Sequence, residues 1–185
     1  MTVLTPANQL TLFRVLLIPA FVILVLYGYL GWALVVFSLA GVTDALDGLI
    51  ARHWSARTSI GAWLDPVADK LLLVTTFVVL TLPGLNLVNR LPVWLTVLII
   101  SRDVVIVLTV AIINLAIGRR MFRPTLLGKL ATLIYICTCV FVMYFNYLGR
   151  PSLIVQVSIY ASCAITLISG FHYIVYATRV INQSQ

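Results

Sequence analysis

Glutamate is absent from this sequence, and only five of its 185 residues are acidic. Charged residues of both signs make up 9% of the chain, whereas soluble domains carry about 25%. Hydrophobic residues account for 62%. This deficit of charge excludes an ordinary soluble domain and indicates an integral membrane protein.

Cysteine is also scarce, and basic residues form no block. The three cysteines, Cys137, Cys139 and Cys163, lie in apolar runs without metal-ligand spacing, which argues against a zinc site or a disulfide framework. The net charge is +7, but the twelve basic residues fall mostly between apolar runs. They therefore argue against nucleic acid as a partner and favour an anionic membrane surface.

Long apolar runs define the predicted fold. A helix needs about 20 mostly apolar residues to span a bilayer. Six runs of that length are present, at approximately residues 10–30, 32–52, 60–82, 91–114, 125–147 and 152–177. Internal repeats and a separate soluble region are not evident. The sequence therefore predicts an all-α integral membrane protein with six transmembrane helices, forming a single domain over residues 1–185.

The distribution of Lys and Arg predicts the topology. With the amino terminus inside, the inner segments hold most of the basic residues, whereas the outer loops hold only Arg90 and Arg150. Because cytoplasmic loops are enriched in Lys and Arg, both termini are expected in the cytoplasm. The turn at residues 53–59 then lies at the cytoplasmic face.

Four of the five acidic residues are concentrated within residues 43–70. They are Asp44, Asp47, Asp65 and Asp69. The first two are three residues apart and the last two are four residues apart. If the segments on both sides of the turn are helical, each pair lies along one helix face. Clustered carboxylates repel one another and are costly in a membrane, which calls for a cation between them. An all-oxygen ligand set suits Mg²⁺, Mn²⁺ or Ca²⁺. The alternative is a pair of buried ion pairs with Arg52 and Arg57.

The same stretch resembles the signature of the CDP-alcohol phosphotransferases. It reads D-x-x-D-G-x-x-A-R, then eight residues, then G-x-x-x-D-x-x-x-D. Besides the four aspartates, the fixed positions are filled by Gly48, Ala51, Arg52 and Gly61. Eight specified positions over 26 residues make the motif far more specific than a lone glycine pattern.

The resemblance implies a reaction and a set of roles. The donor would be CDP-diacylglycerol, an acceptor hydroxyl would attack the lipid-side phosphorus, and CMP would leave without a covalent enzyme intermediate. All four aspartates would bind metal, as two Mg²⁺ or Mn²⁺ ions, and Asp69 would also be the general base. Gly48, Ala51, Arg52 and Gly61 would bind the nucleotide and the diphosphate.

The segment before the first apolar run is also similar to the family pattern. It reads N-x-L-T-x-x-R from Asn8 to Arg14 and is followed by Pro19. The resemblance implies a short amino-terminal interfacial helix in which Asn8 and Thr11 help to line the nucleotide site. The alternative is that Arg14 only marks the membrane boundary.

Three basic residues are candidates for binding an acceptor phosphate, namely Lys129, Arg102 and Arg119. Arg102 and Asp103 are consecutive, so on a helix they are expected to point in different directions and not to neutralise each other. Asp103 is assigned to a buried polar network. His172 lies between aromatic residues and is assigned no role.

The acceptor itself is predicted less directly. The resemblance is to the branch of the family that uses glycerol 3-phosphate or phosphatidylglycerol, and glycerol 3-phosphate is the first choice. Relatives that use it tend to read G-K-x-K-T-x-x-Q, whereas this chain has Gly128 and Lys129 but Ala131 and Tyr135 in place of the second Lys and the Gln.

Other expectations concern class, assembly and location. Intramembrane carboxylates also mark ion paths, so a divalent-cation or proton-coupled transporter is the alternative from another class. Small residues in the sixth run fit bundle packing or a homodimer equally, and a homodimer is expected. The expected location is a bacterial inner membrane, with the active site facing the cytoplasm.

Overall fold

A computed structural model describes residues 6–53, 59–116 and 125–182. Within these ranges the chain forms six helices and no strand, which confirms the all-α prediction. The helices are α1 (Pro6–Leu26), α2 (Leu30–His53), α3 (Ser59–Thr81), α4 (Val93–Ala116), α5 (Leu126–Tyr147) and α6 (Leu153–Asn182).

Three of the described helices contain segments long and apolar enough to cross a bilayer, at Val93–Ile113, Leu126–Tyr147 and Leu153–Tyr176. Shorter apolar segments occupy Thr11–Leu26 and Leu30–Thr43. Many large apolar side chains on these helices are exposed. Extensive apolar surface of this kind is suited to lipid. The protein is therefore an integral membrane protein, and the count of six spans stays a prediction.

The amino-terminal segment differs from the prediction of a separate interfacial helix. Helix α1 begins at Pro6 and continues without interruption to Leu26. Proline suits a first helical position because its missing N–H would have no partner there. Pro19 lies inside the helix without ending it, and the turn comes at Gly28, whose φ is +78°. No glycine or polar run separates the segment from the apolar run, so the two form one helix.

The described residues fall into two compact units, and the first comprises Met1–Arg90 with Val142–Pro151. In this unit α1 packs against both α2 and α3. The rings of Phe21 and Phe37 join α1 to α2, with their centroids 6.0 Å apart. Phe77 and Leu80 of α3 are fully buried. The packing of α1 on α3 matters for the site because it brings the amino-terminal segment beside the signature.

Within the first unit, the buried side-chain amide of Asn146 bonds to the backbone of the loop that follows α3. The Asn146 side chain at the end of α5 accepts from the Asn89 backbone N–H and donates to the Asn89 carbonyl oxygen, each at 2.8 Å. Its amide also donates to the Val142 carbonyl oxygen at 2.8 Å. One side chain thus satisfies both backbone groups of a residue outside any helix, where unpaired groups would be costly.

The second unit comprises Leu91–Phe141 with Ser152–Gln185, and in it α4 packs against α6. Hydroxyl groups join α5 to α6 inside this unit. Thr138 Oγ1 lies 2.9 Å from Ser162 Oγ, and the Tyr135 hydroxyl lies 2.6 Å from Thr166 Oγ1. Small polar residues allow membrane helices to approach closely and to bond across the contact.

Candidate active site

Helix α2 carries the first half of the signature near its carboxyl-terminal end. The residues on it are Asp44, Asp47, Gly48, Ala51 and Arg52. Their backbone is helical, so the spacing of three that separates the two aspartates does place them along one face. Their side chains lie outside the part of the chain that the structure describes.

Helix α3 carries the second half. Gly61 and Asp65 lie in its first two turns, with side chains outside the described part, and Asp69 follows one turn later. The connecting residues 54–58, which include Arg57, are outside the described ranges as well. Asp69 is the one signature carboxylate whose surroundings the structure describes.

Asp69 is held by an arginine from another helix. Nη1 of Arg14, on α1, donates a hydrogen bond to Oδ1 of Asp69. The Arg14 side chain is only 1% exposed, whereas 38% of the Asp69 side chain is exposed. A guanidinium removed from water requires a carboxylate beside it, so the contact ties α1 to α3. The exposed part of the carboxylate stays accessible to a substrate.

Sequence reasoning missed this contact: Arg14 was considered as the end of the family-like pattern or as a boundary residue, without a partner. The sequence did contain a signal for a role beyond the boundary. The N-x-L-T-x-x-R pattern ends on Arg14, and Arg14 lies on the same helix face as Thr11, three residues earlier. Both residues are fully buried. The side chain of Asn8, the third residue of the pattern, lies outside the described part.

In the second unit, the expectation that Arg102 and Asp103 would not pair is wrong. Nη1 of Arg102 donates to Oδ1 of Asp103 at 2.8 Å. The two Cβ atoms do point apart on the helix, but the long, flexible Arg side chain turns back to reach its neighbour. The side chains are 13% and 18% exposed, so each charge is largely withdrawn from water and offset by the other.

Two of the three residues that are candidates for binding the acceptor phosphate, Arg102 and Lys129, belong to neighbouring parts of the structure. A Cβ built on Gly128 would be 3.7 Å from Nη2 of Arg102, so the guanidinium lies beside the first turn of α5. Lys129 is the next residue and is exposed. Arg119 lies outside the described residues. His172 is exposed on α6, and no role follows from its position.

Comparison with known proteins identifies the family of this chain. The sequence model of the CDP-alcohol phosphatidyltransferase family matches residues 4–168. A probable phosphatidylglycerophosphate synthase of Mycobacterium tuberculosis is 34% identical over 185 residues, covering 95% of this chain and 82% of the relative. The chain belongs to the CDP-alcohol phosphatidyltransferase family.

Two cardiolipin synthases that form CMP are similar over a smaller share of their length. The protein from Streptomyces coelicolor is 37% identical over 139 residues, covering 70% of this chain and 60% of the relative. The human protein is 32% identical over 196 residues, covering 96% of this chain and 63% of the relative. The chain therefore spans less than two thirds of either.

Family membership establishes an enzyme that acts on a CDP-alcohol and an alcohol acceptor. It disfavours the transporter alternative. The family generally uses a divalent metal, and the signature is compatible with one because its four acidic side chains are all carboxylates, the ligand type that Mg²⁺ accepts. Asp69 is compatible with this, since its carboxylate is partly exposed.

Proposed function

We propose that this protein transfers the phosphatidyl group of CDP-diacylglycerol to glycerol 3-phosphate and releases CMP. The observation that carries the proposal is the similarity to a phosphatidylglycerophosphate synthase, which extends over 95% of this chain and 82% of that relative. The cardiolipin synthases are covered less completely, at 60% and 63% of their length.

Asp69 is proposed to accept the proton of the attacking hydroxyl. Its Oδ1 is fixed by Arg14, so the carboxylate presents one orientation, and its exposed fraction leaves room for the acceptor. As the O–H bond breaks, the acceptor oxygen bonds to the lipid-side phosphorus. The bond from that phosphorus to the bridging oxygen breaks, and CMP leaves with the electron pair. Positioning of this kind is the main contribution of a protein to phosphoryl transfer.

Metal binding is proposed for Asp44, Asp47, Asp65 and Asp69, as two Mg²⁺ or Mn²⁺ ions. Bound divalent cations would neutralise the diphosphate and favour departure of the leaving group. On the nucleotide side, Arg52 is proposed to hold the diphosphate. Gly48 and Gly61 leave space for the cytosine and the ribose. Ala51, Asn8 and Thr11 complete the proposed donor site.

The acceptor phosphate is proposed to bind Arg102 and Lys129, with Arg119 as a third cation. Guanidinium and ammonium groups form charge-assisted bonds with phosphate. The position of the Arg102 guanidinium beside the first turn of α5 supports a shared role with Lys129. We also propose a homodimer in a bacterial inner membrane, with the site facing the cytoplasm.

The proposal is tested with purified protein, CDP-diacylglycerol and glycerol 3-phosphate in detergent micelles, with the product identified by mass. Lys129→Ala should raise the KM for glycerol 3-phosphate by about tenfold or more, as expected for a lost charge-assisted bond, and should change the donor KM less. Arg150→Ala, which removes another exposed cation, is the matched control. Equal changes in both KM values would contradict the acceptor role.

Cardiolipin formation from phosphatidylglycerol is the second candidate, and one structural observation favours it. Ala131 is fully buried, and Tyr135 uses its hydroxyl to bond Thr166 of α6. The two positions where glycerol 3-phosphate enzymes tend to carry Lys and Gln therefore serve helix packing here. An acceptor site built without those two groups is compatible with a different acceptor.

A further inference from the structure

An open cavity of about 620 Å³ lies within the first unit, between the start of α2 and the end of α5. Its size is in the range of sites that hold small ligands. Aromatic, aliphatic and glycine residues form its wall, and the four aromatic residues are Tyr29, Trp32, Tyr144 and Tyr147. All four are exposed. Tyr and Trp are enriched where hydrocarbon meets polar head groups, because each ring also carries a polar atom.

The two sides of this cavity are in direct contact. A Cβ built on Gly31, in the first turn of α2, would be 2.9 Å from Cδ2 of the Tyr147 ring. Real Cβ atoms essentially never come so close, so glycine is required there for the Tyr147 ring to pack on α2. The cavity is therefore built from two elements that are fixed against each other.

The end of α5 holds Arg150 next to this wall. Gly149 has a φ of +63°, and its N–H donates to the Asn146 carbonyl oxygen at 3.0 Å. The N–H of Arg150 donates to the Phe145 carbonyl oxygen at 3.1 Å. This pair of bonds turns the chain back over the last turn of the helix, which also carries Tyr147. The backbone of Arg150 therefore lies beside the part of α5 that lines the cavity.

A second arginine is held at the same end of the unit. The side-chain amide of Asn89, the residue before Arg90, donates to the Arg150 carbonyl oxygen at 2.7 Å. Arg90 and Arg150 are both exposed. The bond uses a backbone oxygen of Arg150 and neither guanidinium group. Two cationic side chains thus belong to neighbouring parts of the chain.

Negative charge in the first unit is concentrated elsewhere. All of its acidic residues belong to the signature, which begins at Asp44. Asp44 follows the cavity residue Val35 by nine positions on α2, a distance of roughly 14 Å along the helix. Arg90 and Arg150 are also the basic residues of the predicted outer loops, where the positive-inside tendency does not account for them. Their charge therefore calls for another explanation.

We infer that this cavity binds an anionic phospholipid from the membrane leaflet at this end, with an acyl chain on the aromatic wall and the phosphate beside Arg90 and Arg150. Two guanidinium groups at a membrane surface attract an anionic head group. The apolar wall favours hydrocarbon, which a soluble anion does not have. A net neutral lipid would leave the two charges without a matching one. The site is separate from the signature and from the residues proposed to bind the acceptor.

Trp32 allows this site to be observed directly, because it lines the cavity. The full chain is placed in dioleoylphosphatidylcholine bilayers that contain a small fraction of phospholipid with brominated acyl chains, which quench tryptophan fluorescence on contact. Brominated phosphatidic acid is the anionic probe, and brominated phosphatidylcholine is the zwitterionic one. Neither is a donor or an acceptor in the proposed reaction. The contribution of Trp32 is the difference between the protein and its Trp32→Phe variant.

Half-maximal quenching of Trp32 should require about tenfold less brominated phosphatidic acid than brominated phosphatidylcholine, as expected for a charge-assisted contact. Trp94 is the matched control, since it is 49% exposed on α4 and lies outside the cavity. Its contribution, measured with Trp94→Phe, should respond to the two probes within about twofold. Equal quenching of Trp32 by both probes would overturn the inference. An equal preference at Trp94 would also overturn it, because general attraction to a basic protein would then explain the result.

A double variant tests the two arginines. Arg90→Gln combined with Arg150→Gln removes both charges and keeps the Asn89 bond, which uses the backbone. The preference of Trp32 for phosphatidic acid should then fall to within about twofold. Lys70→Gln, which removes an exposed cation beside the signature, should keep the preference. Full preference in the double variant would contradict the inference, and so would its loss in Lys70→Gln.

Discussion

Replacement of Arg14 by Met tests whether this arginine positions the proposed base. The change removes the guanidinium that donates to Asp69 Oδ1 but keeps a long apolar side chain in a site that is 1% exposed. Asp69 would then lose the contact that fixes its orientation between α1 and α3. We expect turnover to fall while donor binding is largely retained.

The size of the expected loss of turnover follows from the exposure of the Arg14 and Asp69 side chains. Breaking a fully buried ion pair costs about 3–5 kcal/mol, but 38% of the Asp69 side chain is exposed, and water screens the interaction. A hydrogen bond to a charged group, about 1.5–3 kcal/mol, is the closer guide. If removal of this hydrogen bond destabilises the transition state by the lower part of that range, kcat should fall about 10- to 30-fold.

The assay is CMP release by purified variants, with kcat and the donor KM measured separately and unfolding followed by heating. Arg14→Lys should restore part of the lost turnover because it returns a cation to the site. Arg90→Met is the matched control, since Arg90 is exposed in the loop between α3 and α4. A folded Arg14→Met protein whose kcat stays within about twofold of the wild type would refute the positioning role.

Three further changes have outcomes that follow from the same account. Chelation of divalent cations should abolish CMP release, and Mg²⁺ or Mn²⁺ should restore it, whereas full activity in excess chelator would contradict the metal assignment. Asp69→Asn should lower kcat by about 10²-fold or more with little change in donor affinity, measured by nucleotide binding, as expected for loss of a general base. Asn146→Leu removes three hydrogen bonds to backbone groups and should lower the free energy of unfolding by about 1–3 kcal/mol; an unchanged thermal midpoint would show that these bonds add no net stability.

The helices were predictable because the length and apolarity of a run are local properties. Helix α4 was predicted at residues 91–114 and is observed at Val93–Ala116. The end of α6 was less accurate, since the run predicted to end at 177 continues as helix to Asn182. A polar sequence after an apolar run can remain helical when no Gly or Pro follows. Apolarity alone therefore predicts the position of an apolar segment more accurately than the residue at which its helix ends.

The site was predictable as a motif but only partly as a structure. Spacing identified Asp69, but its contact with Arg14 joins residues 55 positions apart and depends on how α1 packs against α3. The pairing of Arg102 with Asp103 was missed for another reason. The prediction used Cβ directions alone and neglected the reach of a side chain with several rotatable bonds.

A direct competition between acceptors tests the central claim most clearly. Purified protein is given CDP-diacylglycerol with equal concentrations of glycerol 3-phosphate and phosphatidylglycerol, and both lipid products and CMP are quantified by mass. We expect phosphatidylglycerophosphate to be the main product, formed in equal amount to CMP. Cardiolipin as the main product would contradict the proposed acceptor and establish the second candidate in its place.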